Sequence, residues 1–190
     1  MHFFVVIRGY PVSGRNLVRR KYSLGLKRTQ RDAMETTALE TIEENLGYHF
    51  GDPSLLARAL TRKEFADREW QQGRHLQNQE VLTTLGDSVL TTVFIELLIQ
   101  ARYPTRMALM AERENLGHQE AVVEVAGRIG IAPFISTGIE GDELKKHWPE
   151  ILADTMRAII GALYLDGGFE PARTAIVGWY GSMVRPHLVE

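Results

Sequence analysis

Glu80, Thr83, Thr84 and Asp87 recur at i, i+3 or i+4, and i+7, a spacing that sets them on one side of a helix over two turns. Farther along, Asp154 sits among Ile151, Leu152, Ala153, Ile159 and Ile160. A carboxylate in so apolar a run costs free energy unless it is paired, hydrogen-bonded or bound to a cation. Acids from two helices therefore invite a hard divalent cation. The bland alternative is a set of solvated helix acids, with Asp154 favoured by the dipole of a helix starting near residue 148. Spacing alone leaves both readings open.

The elements that would carry these acids are helical. In "TTALETIEENLGY" the apolar Leu39, Ile42 and Leu46 keep helical spacing, and Gly47 is a stop. Asp52 followed by Pro53 predicts an N-cap and a first helical position. Residues 62–75 are polar and read as a loop or short helix. Residues 76–102 form the longest periodic run, apolar on too many sides for a surface helix. Gly86 within it costs about 1 kcal/mol relative to alanine, which suggests a close approach there. Further helices are expected over about 104–116, 118–129, 148–166 and 169–184, divided by Gly117, Gly130 and the pair Gly167 and Gly168. With no sustained alternation after residue 35, the fold class is all-α. The aromatic residues Trp148, Tyr164, Phe169, Trp179 and Tyr180 read as packing groups rather than base-stacking ones.

Composition narrows the chemistry. The chain of 190 residues is 44% hydrophobic and 24% charged, which fits one folded domain with an appendage. It has no cysteine, so disulfides and thiolate metal sites are excluded. Its six histidines show no HxxxH or HxH spacing, which argues against zinc. No uninterrupted apolar run reaches the roughly 20 residues of a membrane span, and no membrane partner is expected. The net charge of −2 is unevenly divided: residues 1–31 hold eight cations and no acid, leaving 14 cations against 24 acids, or −10, over residues 32–190. A basic arm on an acidic body suits a polyanion partner. Arg15, Arg19, Arg20, Lys21, Lys27, Arg28 and Arg31 are its candidate nucleic-acid contacts, if residues 1–33 are such an arm. An organellar targeting segment, or translated sequence upstream of a start at Met34, are the competing readings. The body is residues 34–190, and a cytoplasmic location is expected unless the arm is a targeting segment.

The motifs themselves resemble the ribonuclease III domain. The signature of that family, approximately NERLEFLGDSVL, is similar to "QEVLTTLGDSVL" at Gln79 to Leu90. Its second motif, roughly ILADxxEAxIGAIYLDGG, is similar to "ILADTMRAIIGALYLDGG" at Ile151 to Gly168. "IEENLGYHFGDPSLLARALT" and "RENLGHQEAVVEVAGRIGI" match the start of the domain and its middle helices, so the resemblance runs over about residues 36–180. It implies a multi-helix endonuclease domain, generally homodimeric, that takes double-stranded or structured RNA and hydrolyses it with Mg²⁺ (or Mn²⁺). If the chain is inactive, it implies no cofactor. Glu80, Asp87 and Asp154 match acids of the two motifs and are the catalytic and metal-binding candidates.

Two matches fail. Thr83 stands where the signature has its second glutamate, and Arg157 where the second motif has a key acidic ligand. Over Thr83, Asp87, Asp154 and Arg157 the formal charge becomes −1 where the family has −4. A guanidinium three residues from Asp154 can pair with it in the place of the metal. The expectation is weakened hydrolysis, with Glu80 or Glu150 as possible compensating acids. The alternative is a non-catalytic descendant that binds RNA or a ribonucleoprotein, or one that pairs with an active nuclease. Thr84 replaces the family's dimer-locking phenylalanine, so a homodimer is expected through Leu82, Thr84, Leu85 and Val89 with altered central packing. Arg113 matches an arginine of the middle helix, either contacting phosphate or paired with Glu112 or Glu114. The family often carries a C-terminal double-stranded-RNA-binding domain, and this chain ends at Glu190, just after the matched body.

Overall fold

The computed structural model describes residues 38–184, so the basic arm lies outside the described residues. Among the described residues eight α-helices follow one another: α1 over 38–46, α2 Pro53–Ala59, α3 Lys63–Trp70, α4 Glu80–Gln100, α5 Arg106–Gly117, α6 Gln119–Ile129, α7 Gly141–Gly167 and α8 Phe169–Tyr180. Among the described residues there is no named strand, only an isolated bridge between Thr61 and Ser136. The all-α class is confirmed. So are the Gly47 stop, at φ 71°, and the Asp52 cap, whose Oδ1 accepts from Ser54 N at 2.9 Å.

Of the loop and short helix allowed for the polar stretch, the short helix is present as α3, because Phe65 and Ala66 bury one side of it. Two expectations needed correction. The segment 76–79 is not helical: Gln79 is the N-cap of α4, with its amide donating to Thr61 O at 2.9 Å and its side chain buried. The longest helix is α7, which begins seven residues earlier than residue 148 and carries Pro149 in its interior. Pro149 reads as a helix start in sequence, yet an interior proline is held here by the packing of the apolar residues that follow. Asp154 therefore lies mid-helix and has no first-turn dipole to favour it.

The core is built around the pair α4 and α7. Leu82, Leu90, Val93 and Phe94 of α4, and Ile151, Met156, Ile159 and Ile160 of α7, are at most 2% exposed. Each such side chain contributes about 1.5–3 kcal/mol on burial. The two helices touch backbone to backbone: a Cβ on Gly86 would overlap the Arg157 carbonyl, and one on Gly161 would overlap the Leu82 carbonyl. By its length and mean hydropathy of 1.6, α4 could cross a membrane, although no continuous apolar run was evident in the sequence. Here its inner side is the core of the domain.

Candidate functional site

The crossing at Gly86 and Gly161 brings the polar side of α4 against α7. Thr83 Oγ1 donates to its own turn at Gln79 O, 3.2 Å away, and lies 3.3 Å from the Asp154 carbonyl. Behind it, Thr155 donates to Gln79 Oε1 at 3.2 Å, and both residues are buried. Such a satisfied internal pair fixes how α7 sits on the start of α4.

Arg157 occupies the middle of this surface. Its Nε donates to Asp87 Oδ1 at 3.1 Å, and a terminal nitrogen donates to the Gly117 carbonyl at 3.3 Å. Its other terminal nitrogen lies 3.8 Å from Asp154 Oδ1. A second guanidinium, Arg62 at the start of α3, reaches Asp154 Oδ2 at 3.4 Å and is itself held by Glu64. Asp154 is thus flanked by two arginines. Burial pushes its carboxyl above the usual aspartate range, while Arg62 and Arg157 pull it down and Glu150 pushes it up further. Unlike Asp154, the Asp87 carboxylate is well exposed, at 61%.

The candidate acids do not assemble into a metal centre. Glu80 turns toward solvent, 3.6 Å from Lys63 Nζ and hydrogen-bonded to Asn78. Glu150 pairs with His147 at 3.2 Å. Among the described residues no group of three or more histidine, aspartate or glutamate side chains is placed to hold a metal ion. The remaining donors, Asp87 and Asp154, are balanced by Arg157 and Arg62, two carboxylates against two guanidinium groups. Thr83 adds only a neutral hydroxyl. Mg²⁺ prefers near-octahedral carboxylate and water oxygens, so the residues present do not fit it.

Sequence reasoning had paired Asp154 with Arg157 but not with Arg62, which lies 92 positions away and carries no local signal. Neither partner foreseen for Arg113 is used: Glu112 accepts from Asn115 instead, at 3.0 Å. Of the expected dimer residues, Leu82 is 0% and Val89 6% exposed, so both are spent in the core of this chain. Thr84 is exposed and Leu85 half-buried. Tyr180 is fully buried edge-on to Phe94, whereas Tyr164 and Phe169 are more than a third exposed.

The helical fold agrees with comparisons with known proteins. A family described as Ribonuclease-III-like matches residues 52–182. The chain belongs to the ribonuclease III family. It is 37% identical over 141 residues to Ribonuclease 3 of Bdellovibrio bacteriovorus, covering 72% of this chain and 58% of that protein. Against Ribonuclease 3 of Bordetella avium it is 38% identical over 148 residues, 75% of this chain and 54% of the other. The chain thus spans little more than half the length of these ribonuclease III relatives. Among solved structures, the ribonuclease III nuclease domain of Campylobacter jejuni superposes with a TM-score of 0.63 at 29% identity, covering 80% of this chain and 97% of that one. A second structure of that domain, described as showing structural flexibility in the region involved in dimer formation, gives 0.61 at 30% identity, over 75% and 99%.

Proposed function

We propose that this ribonuclease III family member binds double-stranded or structured RNA as a non-hydrolytic protein, its inherited metal pocket closed by Arg157. The observation that carries this reading is the guanidinium of Arg157 held by Asp87 Oδ1 and the Gly117 carbonyl and facing Asp154. A divalent ion and that guanidinium compete for the same carboxylates, and the covalently attached cation is always present. Residual hydrolysis through Glu80 or Glu150 finds no support in the geometry, since both are engaged elsewhere. RNA as the ligand is supported by the Ribonuclease 3 relatives and by the eight cations of residues 1–31.

A homodimer belongs to the same proposal. The outer side of α4 exposes Val81, and Thr84, Ser88 and Thr92 there satisfy their hydroxyls on carbonyls of their own helix at 3.3, 3.2 and 3.0 Å. The face offers methyl groups and no unpaired donor, as a buried contact requires.

The test is cleavage of a long double-stranded RNA in Mg²⁺ and in Mn²⁺. The expected outcome is no cutting by the natural sequence, with cutting recovered in the double variant Thr83→Glu, Arg157→Glu. Cutting by the natural sequence that disappears in Asp87→Asn would overturn the closed-pocket reading.

A further inference from the structure

Helix α3 ends on Trp70, which is 61% exposed although an indole is among the costliest side chains to leave in water. The loop after it is braced around this residue. The amides of Gln72 and Arg74 donate to the Glu69 carbonyl at 3.0 and 2.9 Å, and that of Gly73, at φ 77°, donates to the Trp70 carbonyl at 2.9 Å. The Arg74 guanidinium closes the turn on the Glu69 carboxylate and the Gln72 side chain. Folded back in this way, the chain sets the His75 ring against Trp70, with centroids 3.9 Å apart and planes at 77°. His75 is exposed too, so two aromatic rings are held in a fixed relation on the surface and neither is spent in the core.

The surroundings indicate what the rings meet. From Trp70 to Gln79 the chain has no acid, and it presents Arg74, His75 and the amide side chains of Gln71, Gln72 and Gln77, all exposed. Of the acids in the last turn of α3, Glu69 is buried and paired with Arg74, and Asp67 is exposed, where water screens it. A phosphate backbone can therefore approach the loop. Aromatic faces beside amide groups suit an unpaired nucleotide, whose base stacks and offers its Watson–Crick edge for hydrogen bonds. A docking protein would call for a contiguous apolar patch, and within the loop only Leu76 extends the apolar surface of Trp70.

Position favours the same ligand. Arg62, the N-cap of α3, contacts Asp154 in the closed pocket, and Trp70 lies eight residues farther, about 12 Å along the helix at 1.5 Å per residue. An RNA strand seated at the pocket needs only a few more nucleotides to reach the rings. We infer that Trp70 and His75 form a stacking platform for an unpaired base of the bound RNA. The inference rests on the RNA-binding reading above and narrows it to a duplex that opens into a single strand. Because the loop is braced before binding, little conformational freedom is lost when a base stacks.

Equilibrium binding to the full chain is measured without divalent ions, for a blunt RNA duplex, the same duplex with an unpaired tail, and the same tail made abasic. The proteins are the natural sequence, Trp70→Ala, Trp70→Phe and the control Met107→Ala, which alters an 82% exposed apolar residue of α5. The natural sequence should bind the base-bearing tail about tenfold more tightly than either other RNA. That preference should vanish in Trp70→Ala and persist in Trp70→Phe and Met107→Ala. Equal affinity of the natural sequence for all three RNAs overturns the platform and leaves RNA binding standing, whereas no binding to any of them overturns both. A preference that survives Trp70→Ala also overturns it, and a changed sedimentation mass in that variant with unaltered RNA affinities assigns Trp70 to a protein contact instead. Circular dichroism checks each fold, and Trp70→Leu, which keeps an apolar side chain without a ring, replaces Trp70→Ala should that variant unfold.

Discussion

A guanidinium and a divalent ion between the same two carboxylates are mutually exclusive, and Arg157 is tethered by the chain while an ion must be drawn from solution. Arg157 is 19% exposed and its partner Asp87 61%, and together with Arg62 it offsets the charge that would attract a dication. Another carboxylate at this scale is structural. Asp166 of α7 accepts from the amides of Gly51 and Asp52, both at 2.8 Å, and from the Tyr48 hydroxyl at 2.7 Å, tying the α1–α2 turn to the core. Burial pushes the Asp166 carboxyl up, but the donors of Asp52, Tyr48 and Gly51 outweigh it and leave the group below the usual aspartate range. The same contact helps raise the Tyr48 hydroxyl to about 12, after burial. A depressed acid contributes stability that is present above its unfolded pKa of about 3.9 and is lost as pH falls through the folded value. Melting temperature followed from pH 6 down to 2 should thus fall less steeply in Asp166→Asn than in the natural sequence, and Asp166→Asn should be less stable at pH 6 by about 1–2 kcal/mol. Parallel curves would remove Asp166 from this role.

At the scale of elements, the closeness of α4 and α7 decides what the site contains. Without Gly86 and Gly161 the helices would stand apart, and Arg157 would sit too far from Asp87 to donate to it. A methyl group at residue 86 would meet rigid backbone on both sides, the Arg157 carbonyl and the Gly161 amide nitrogen. Gly86→Ala should therefore cost about 3 kcal/mol or more in urea unfolding, in the upper range for overpacked cores. The control is Gly178 of α8, with nothing within 4 Å of an added Cβ, where alanine should stabilise by up to about 1 kcal/mol. Similar losses at both positions would mean that helix contact is not the cause.

For the whole molecule, the exposed side of α4 asks for a partner. Val81 is 66% exposed on a helix whose mean hydropathy is 1.6. Sedimentation equilibrium should find twice the chain mass of 21.5 kDa, and Val81→Lys, which sets like charges against each other across a two-fold contact, should return the single-chain mass. A chain mass unchanged by that substitution would place the dimer contact elsewhere or show that there is none.

The sequence by itself determined the all-α class and the family. Caps such as Asp52 and stops such as Gly47 act within a turn, and motif residues at i, i+3 and i+7 share a face by helical geometry alone. The same local reasoning set the start of α7 near residue 148 rather than at Gly141, because a proline at a helix start and one inside a helix look alike until the packing of α7 is known. Only the tertiary structure decided which atoms meet. Arg62 reaches Asp154 across 92 positions, and Arg157 finds Asp87 across 70 and the Gly117 carbonyl across 40. Those partners follow from how closely α4 and α7 pack and on which faces, a property of the assembled core that no single stretch of chain encodes.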